Sequence, residues 1–139
     1  MKRRRTPKPA RCPTLVAMHL APEVELTERQ AVLAFRGSYA TYENFNILAD
    51  CRDLLTLAAA DRNDAGTLAV CHAAGIALQN IADRYQAKRK FGGSGEELAA
   101  LDMLIDTSRE WWKLQGGEFF RACVTALSRY RADQRVRAA

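Results

Sequence analysis

Few side chains in this sequence have the types and spacing that catalysis or metal binding requires. Asp102 and Asp106 lie one helical turn apart, a spacing that could serve acid–base catalysis or Mg²⁺ binding. Asp50 and Asp53 form a similar pair. Arg109 follows on the same side of the helix as Asp102 and Asp106. A solvated face of ion pairs is therefore the better interpretation of that pair.

The two histidines, His19 and His72, give no stronger indication of chemistry. The residues four positions from His72 are Leu68 and Ile76, which supply neither a carboxylate nor a second metal ligand. We therefore expect His72 to lie at the edge of the core. The sequence also lacks the Glu-x-x-His, phosphate-loop and G-x-S-x-G motifs. It predicts no enzyme, no cofactor and no metal site.

The four cysteines indicate a reducing compartment. Cys12, Cys51, Cys71 and Cys123 form no C-x-x-C pair, so the usual spacing of a zinc site is absent. The last three fall on apolar helical faces, where a cysteine behaves as a small hydrophobic residue. The pattern predicts buried free thiols in a cytoplasmic protein.

The basic residues are concentrated at the N-terminus. Residues 1–22 carry a charge of +6 and no acid, whereas the remaining 15 basic and 16 acidic side chains leave −1. The same segment contains all four prolines, which predicts a flexible, extended, Pro-rich basic arm. Such an arm could bind nucleic acid through its cations or simply keep the chain soluble. The candidate phosphate contacts are Arg3, Arg4, Arg5 and Lys8.

The longest uncharged stretch of the chain runs from Ala65 to Ala82, between Asp64 and Asp83. Its apolar residues recur at three- and four-residue steps and cover most of a helical circumference. We expect such a helix to be buried by neighbours on several sides. Because it contains polar side chains and two glycines, it is a poor candidate for a membrane span.

Capping patterns divide the rest of residues 23–139 into helices. Together they predict an all-α fold: a single compact bundle of four to five helices joined by short loops. The expected helices run from Thr27 to Gly37, from Ser38 or Thr41 to about Ala60, from Asp64 to about Arg89, from Ser94 to about Gln115, and from Glu118 into the 130s.

Gly75 admits two interpretations. It could be the turn glycine of a helix-turn-helix, in which case Gln79, Asn80 and Arg84 would reach base edges. Alternatively, it could allow a neighbouring helix to approach closely. No other helix-breaking residue lies nearby, so the second interpretation is favoured.

Adjacent tryptophans are the last unusual feature. Neighbouring helical residues point about 100° apart, so one face cannot bury both; if Trp112 enters the core, Trp111 lies toward its edge. An edge tryptophan is typical of a protein interface. The alternative is that Trp111 fills a seam under Phe119 and Phe120.

These features predict a small cytoplasmic, bacterial binding or regulatory module without enzyme activity. It would act through helix faces, on a protein partner or by self-association, and not on a membrane. The alternative is a nucleic-acid-binding protein that uses the basic arm.

Overall fold

The computed structural model describes residues 15–138, which contain six helices and no strand. The predicted all-α fold is confirmed, with six helices in place of four to five. The helices are α1 (Leu15–His19), α2 (Pro22–Arg36), α3 (Tyr42–Asp61), α4 (Ala65–Lys88), α5 (Gly95–Lys113) and α6 (Gly117–Ala138).

The extra helix and the main error in helix bounds both lie at the start of the described chain. Leu15–His19 is helical, although we expected this part of the arm to be extended. Pro22 opens α2 at a first-turn position, where a missing N–H costs nothing. Thr27 therefore lies inside α2 and does not cap it; its hydroxyl donates to the Glu23 carbonyl at 2.9 Å. Residues 1–14 of the predicted arm lie outside the described residues.

The other helix starts agree with their capping signals. Thr41 precedes α3 in a capping box. The Asp64 carboxylate accepts the Thr67 amide at 3.1 Å at the start of α4. Ser94 and Glu97 form the predicted reciprocal pair at the start of α5, with N–H to O distances of 2.9 and 3.3 Å. These signals involve residues within three positions of each other, so they can be predicted without the tertiary fold.

The helix at the centre of the bundle is α3, which packs against α2, α4, α5 and α6. We expected α4 to hold that position. Instead, α4 packs mainly on α3 and α5 and buries one stripe that includes Cys71, Ala74 and Ile81. The expectation for α4 was wrong because the mean hydropathy of a helix does not reveal which of its sides the neighbouring helices cover. The largest fully buried side chains are Phe35, Leu48, Leu55, Ile81, Leu101, Leu104, Ile105 and Trp112.

Gly75 is a packing position, because α4 continues through it without a break. A Cβ atom added at Gly75 would lie 2.9 Å from Nη2 of Arg52 on α3. The prediction of a helix-turn-helix centred on Gly75 is therefore wrong, and the close-approach interpretation agrees with the structure.

Candidate binding surfaces

Both aspartate pairs hold helices together through arginines. Arg29 of α2 contacts Asp106 and lies 3.3 Å from Asp102, which joins α2 to α5. Asp50 and Asp53 of α3 join that helix to α6, because Arg131 lies 2.6 Å from Asp50 and 2.9 Å from Asp53. The ion-pair interpretation of the α5 aspartates is confirmed, although Arg109 does not provide the charge. Arg109 pairs instead with Glu25 at 2.9 Å.

The two histidines lie in different environments. His72 is exposed on α4 and is not at the edge of the core. His19 is half-buried, with its ring 4.9 Å from Phe120 and 6.0 Å from Trp112. Burial, and secondarily the charge of Arg109, lower the pKa of His19. We therefore treat His19 as neutral at pH 7.

The described cysteines are buried free thiols, as predicted. Burial raises the pKa of Cys51 well above its usual value and also raises the pKa of Cys71 and of Cys123. These thiols are therefore protonated at neutral pH and poor nucleophiles. Cys12 lies outside the described residues.

Trp111 lies in the core and not at an exposed edge of it. It is 8% exposed, and its indole N–H donates to the Asp64 carboxylate at 2.9 Å. Its ring also lies 6.2 Å from that of Phe119, so the seam interpretation agrees with the structure. Hydrogen bonds from the Thr67 amide and hydroxyl, and then from Trp111, lower the pKa of Asp64. The bundle buries both tryptophans because α5 packs on the core while the Asp64 turn and α6 cover its other side.

The residues predicted to contact bases share α4 but not a common role. Gln79 is exposed and donates to Asp83 at 2.8 Å, and Asn80 is exposed. Arg84 donates to both Glu97 oxygens at 2.7 Å and to the Gly92 carbonyl at 2.6 Å. The guanidinium of Arg84 is therefore engaged within the fold. The four predicted phosphate contacts, Arg3, Arg4, Arg5 and Lys8, lie outside the described residues.

One side of α4 forms an uncharged surface that we call the α4 face: Ala69, His72, Ala73, Ile76 and Asn80. All five residues are exposed, and the Ile76 side chain is 51% exposed. A shallow groove of about 220 Å³ separates this face from Glu96 and Ala100 of α5.

Among the described helices, α4 alone is long and apolar enough to cross a membrane. Only 33% of its most apolar window is buried in the bundle. A single helix of this kind is weak evidence for a membrane span, because a core helix of a soluble protein can have the same length and composition.

A second surface, the tyrosine end, combines exposed aromatic rings with cations. Tyr42 packs at 5.1 Å from Tyr85, and Tyr85 stacks on Phe91 at 4.0 Å. Arg89 lies 5.8 Å from the Tyr85 ring. The exposed members are Tyr39 (67%), Tyr42 (56%) and the cations Lys88, Arg89 and Lys90. Ser38, in the loop that carries Tyr39, lies close to Gly92 in the loop after α4.

The tyrosine end could not be predicted from the sequence because its parts come from separate segments of the chain. The cations at 88–90 suit a helix C-terminus by themselves, so nothing in them indicates a surface. Only the fold brings the loop before α3 beside the loop after α4.

A comparison with protein-family models, curated proteins and solved structures finds no match for this chain.

Proposed function

We propose that the protein is a small non-enzymatic binding or regulatory module of the cytoplasm that self-associates through the α4 face. The observation that supports this proposal is the exposure of that face. It is free of charge, and its apolar side chains gain free energy when they are removed from water. An exposed patch of this kind is typical of an interaction site.

A second copy of the same chain is the partner that best suits the α4 face. A two-fold interface places one patch against itself, so any charge near its axis would face the same charge of the other copy. The α4 face carries none. Ala69 and Ala73 are small and allow a second helix to approach closely.

Charges at the two ends of α4 favour an antiparallel pair. Lys88 ends α4 and Arg89 and Lys90 follow it, whereas Asp61 and Asp64 precede its N-terminal end with Arg62 between them. Antiparallel association brings the basic end of one copy beside the acidic end of the other. The helix dipoles are then also oppositely aligned.

Substitution of Ala73 by glutamate tests this proposal. We expect the wild-type chain to form dimers and Ala73→Glu to weaken the dimer at least about tenfold, because the symmetric contact then buries two like charges. Sedimentation velocity and light scattering over a dilution series from micromolar to millimolar measure the change.

Ala126→Glu on α6 is the matched control, since Ala126 is also exposed but lies away from the α4 face. It should associate as the wild-type chain does. Circular dichroism checks that both variants remain helical. A wild-type chain that stays monomeric at millimolar concentration would contradict the proposal, as would equal effects of the two substitutions.

Nucleic-acid binding is the second candidate function, and the tyrosine end favours it. Bases of a single strand stack on aromatic side chains, while nearby cations contact the phosphates. Tyr39 and Tyr42 provide exposed rings. Tyr42 packs on Tyr85, and Arg89, one of the exposed cations at 88–90, lies 5.8 Å from the Tyr85 ring. The basic residues at positions 1–11 add charge that this mode of binding would use.

We expect the Tyr39→Ala, Tyr42→Ala double variant to bind single-stranded DNA or RNA at least about thirtyfold more weakly, since stacking is worth about 1–3 kcal/mol per base and the variant loses two rings. Removal of residues 1–11 should reduce the slope of affinity against salt. Fluorescence anisotropy with single-stranded and duplex probes measures both effects. Tyr130→Ala is the control, because Tyr130 is 61% exposed on α6. Absence of binding at low salt excludes this function.

A further inference from the structure

We infer that a cavity between α1, α2, α3 and α6 binds a small apolar molecule that carries a protonated amine. This inference does not depend on the α4 face or on the tyrosine end. It combines the shape of the cavity, the carboxyl group buried in its wall and the absence of a basic side chain from its described lining.

The cavity has the size and composition of a small-molecule site. Its volume is about 410 Å³, within the range of about 300–1,000 Å³ that ligand pockets span. Apolar side chains from three helices form most of its surface. They are Val24 of α2, Ile47 and Leu54 of α3, and Phe120 and Val124 of α6.

Glu28 supplies a buried carboxyl group to this wall, and it is only 6% exposed. The thiol of Cys51 interacts with the Glu28 carboxyl group and lowers its pKa, and Cys51 also interacts with Ser108. A thiol is a weak donor, whereas a carboxylate has about four acceptor positions. Glu28 therefore retains capacity to accept hydrogen bonds from a ligand.

The charges around the cavity favour a cation. The described lining contains no lysine or arginine. Its second carboxylate, Asp50 at the rim, is already paired with Arg131 at 2.6 Å, so Glu28 is the carboxylate left for a cation. Within the described lining, the titratable nitrogen belongs to His19, which is neutral because burial lowers its pKa. Burial also raises the pKa of Glu28, against the opposing effects of Cys51 and of the charges of Arg109 and Arg29. A ligand ammonium group next to Glu28 offsets the cost of burying the charged carboxylate, because it stabilises the ionised form.

Three ligands of matched shape separate charge from apolar contact: 2-phenylethylamine, 2-phenylethanol and 3-phenylpropanoate. We expect saturable binding to the full chain in the order amine, alcohol, acid. Calorimetry measures it, and tryptophan fluorescence reports it independently. Trp112 is a suitable reporter because its ring lies 4.9 Å from Phe120 and 6.0 Å from His19, which both line the cavity.

Two substitutions test the role of charge. Glu28→Gln keeps the shape of the side chain and should weaken amine binding about tenfold or more, with little effect on the alcohol. Val124→Lys places a cation at the partly exposed rim and should weaken amine binding even if Glu28→Gln impairs folding. Glu43→Gln is the control, since Glu43 is exposed on α3 and does not line the cavity. No binding, equal affinity for amine and acid, or equal effects of all three substitutions would overturn the inference.

Discussion

Trp112→Ala is expected to lower the free energy of unfolding by about 3–5 kcal/mol, the usual cost of deleting a fully buried tryptophan side chain. Trp112 is 0% exposed. Its ring packs at 4.9 Å from Trp111 and at 4.9 Å from Phe120, so the deletion leaves a void between α5 and α6. Since total stabilities are about 5–15 kcal/mol, much of the margin would be lost. Urea denaturation followed by circular dichroism measures the change.

Trp112→Phe separates the loss of packing from the loss of the indole N–H. Among the described residues, the Trp112 Nε1 has no hydrogen-bond partner although it is buried. An unsatisfied buried donor costs about 1–3 kcal/mol. Phenylalanine removes that donor and keeps an aromatic ring, so we expect a much smaller destabilisation than with alanine. Leu114→Ala is the control: Leu114 is 84% exposed, and its truncation should change stability by about 0.5 kcal/mol at most. If Trp112→Ala is no more destabilising than Leu114→Ala, the described packing is wrong.

Arg84→Met is expected to destabilise the chain by about 1–3 kcal/mol, because it leaves the buried Glu97 carboxylate without its main partner. Glu97 is 8% exposed, and Arg84 also donates to the Gly92 carbonyl. One side chain therefore joins the end of α4, the following loop and the start of α5. Methionine retains most of the apolar stem, so the change chiefly removes the charge and its hydrogen bonds.

The pH dependence of this effect has a defined sign. Burial alone raises the pKa of Glu97, but the hydrogen bonds and charge of Arg84, together with the Ser94 amide and hydroxyl, outweigh burial and lower it. A lowered pKa in the folded state stabilises the fold above the unfolded value and loses that effect as the pH falls. The difference between wild type and Arg84→Met should therefore be largest near pH 7. It should shrink as the pH falls through and below 4.5, the ordinary value for glutamate.

Lys88→Met is the control for the loss of a cation at the end of α4, because Lys88 is exposed. It should cost much less than Arg84→Met and should not show the same dependence on pH. Equal destabilisation by the two substitutions would mean that Arg84 contributes only general charge. Urea unfolding at neutral and acidic pH distinguishes these outcomes.

The helical class and most helix starts could be predicted from local sequence patterns. Asp64, Ser94 and Glu97 satisfy backbone groups within three residues of themselves, so their effect does not depend on the rest of the fold. The burial of Cys51, Cys71 and Cys123 could also be predicted. Each lies on an apolar helical stripe and continues it, because a cysteine behaves as a small hydrophobic residue. The start of α2 was missed because proline is compatible with both an extended arm and a first helical turn.

Only the tertiary structure decided which side of each helix is covered. Composition makes α4 the most apolar helix, yet α3 takes the central position and leaves the α4 face exposed. Trp111 is buried by segments distant in sequence, and among them Asp64 accepts its indole N–H. The cavity around Glu28 and the tyrosine end likewise form between segments that are far apart in the chain. Periodicity specifies the faces of a helix, but the packing of other helices determines which of those faces remain available for binding.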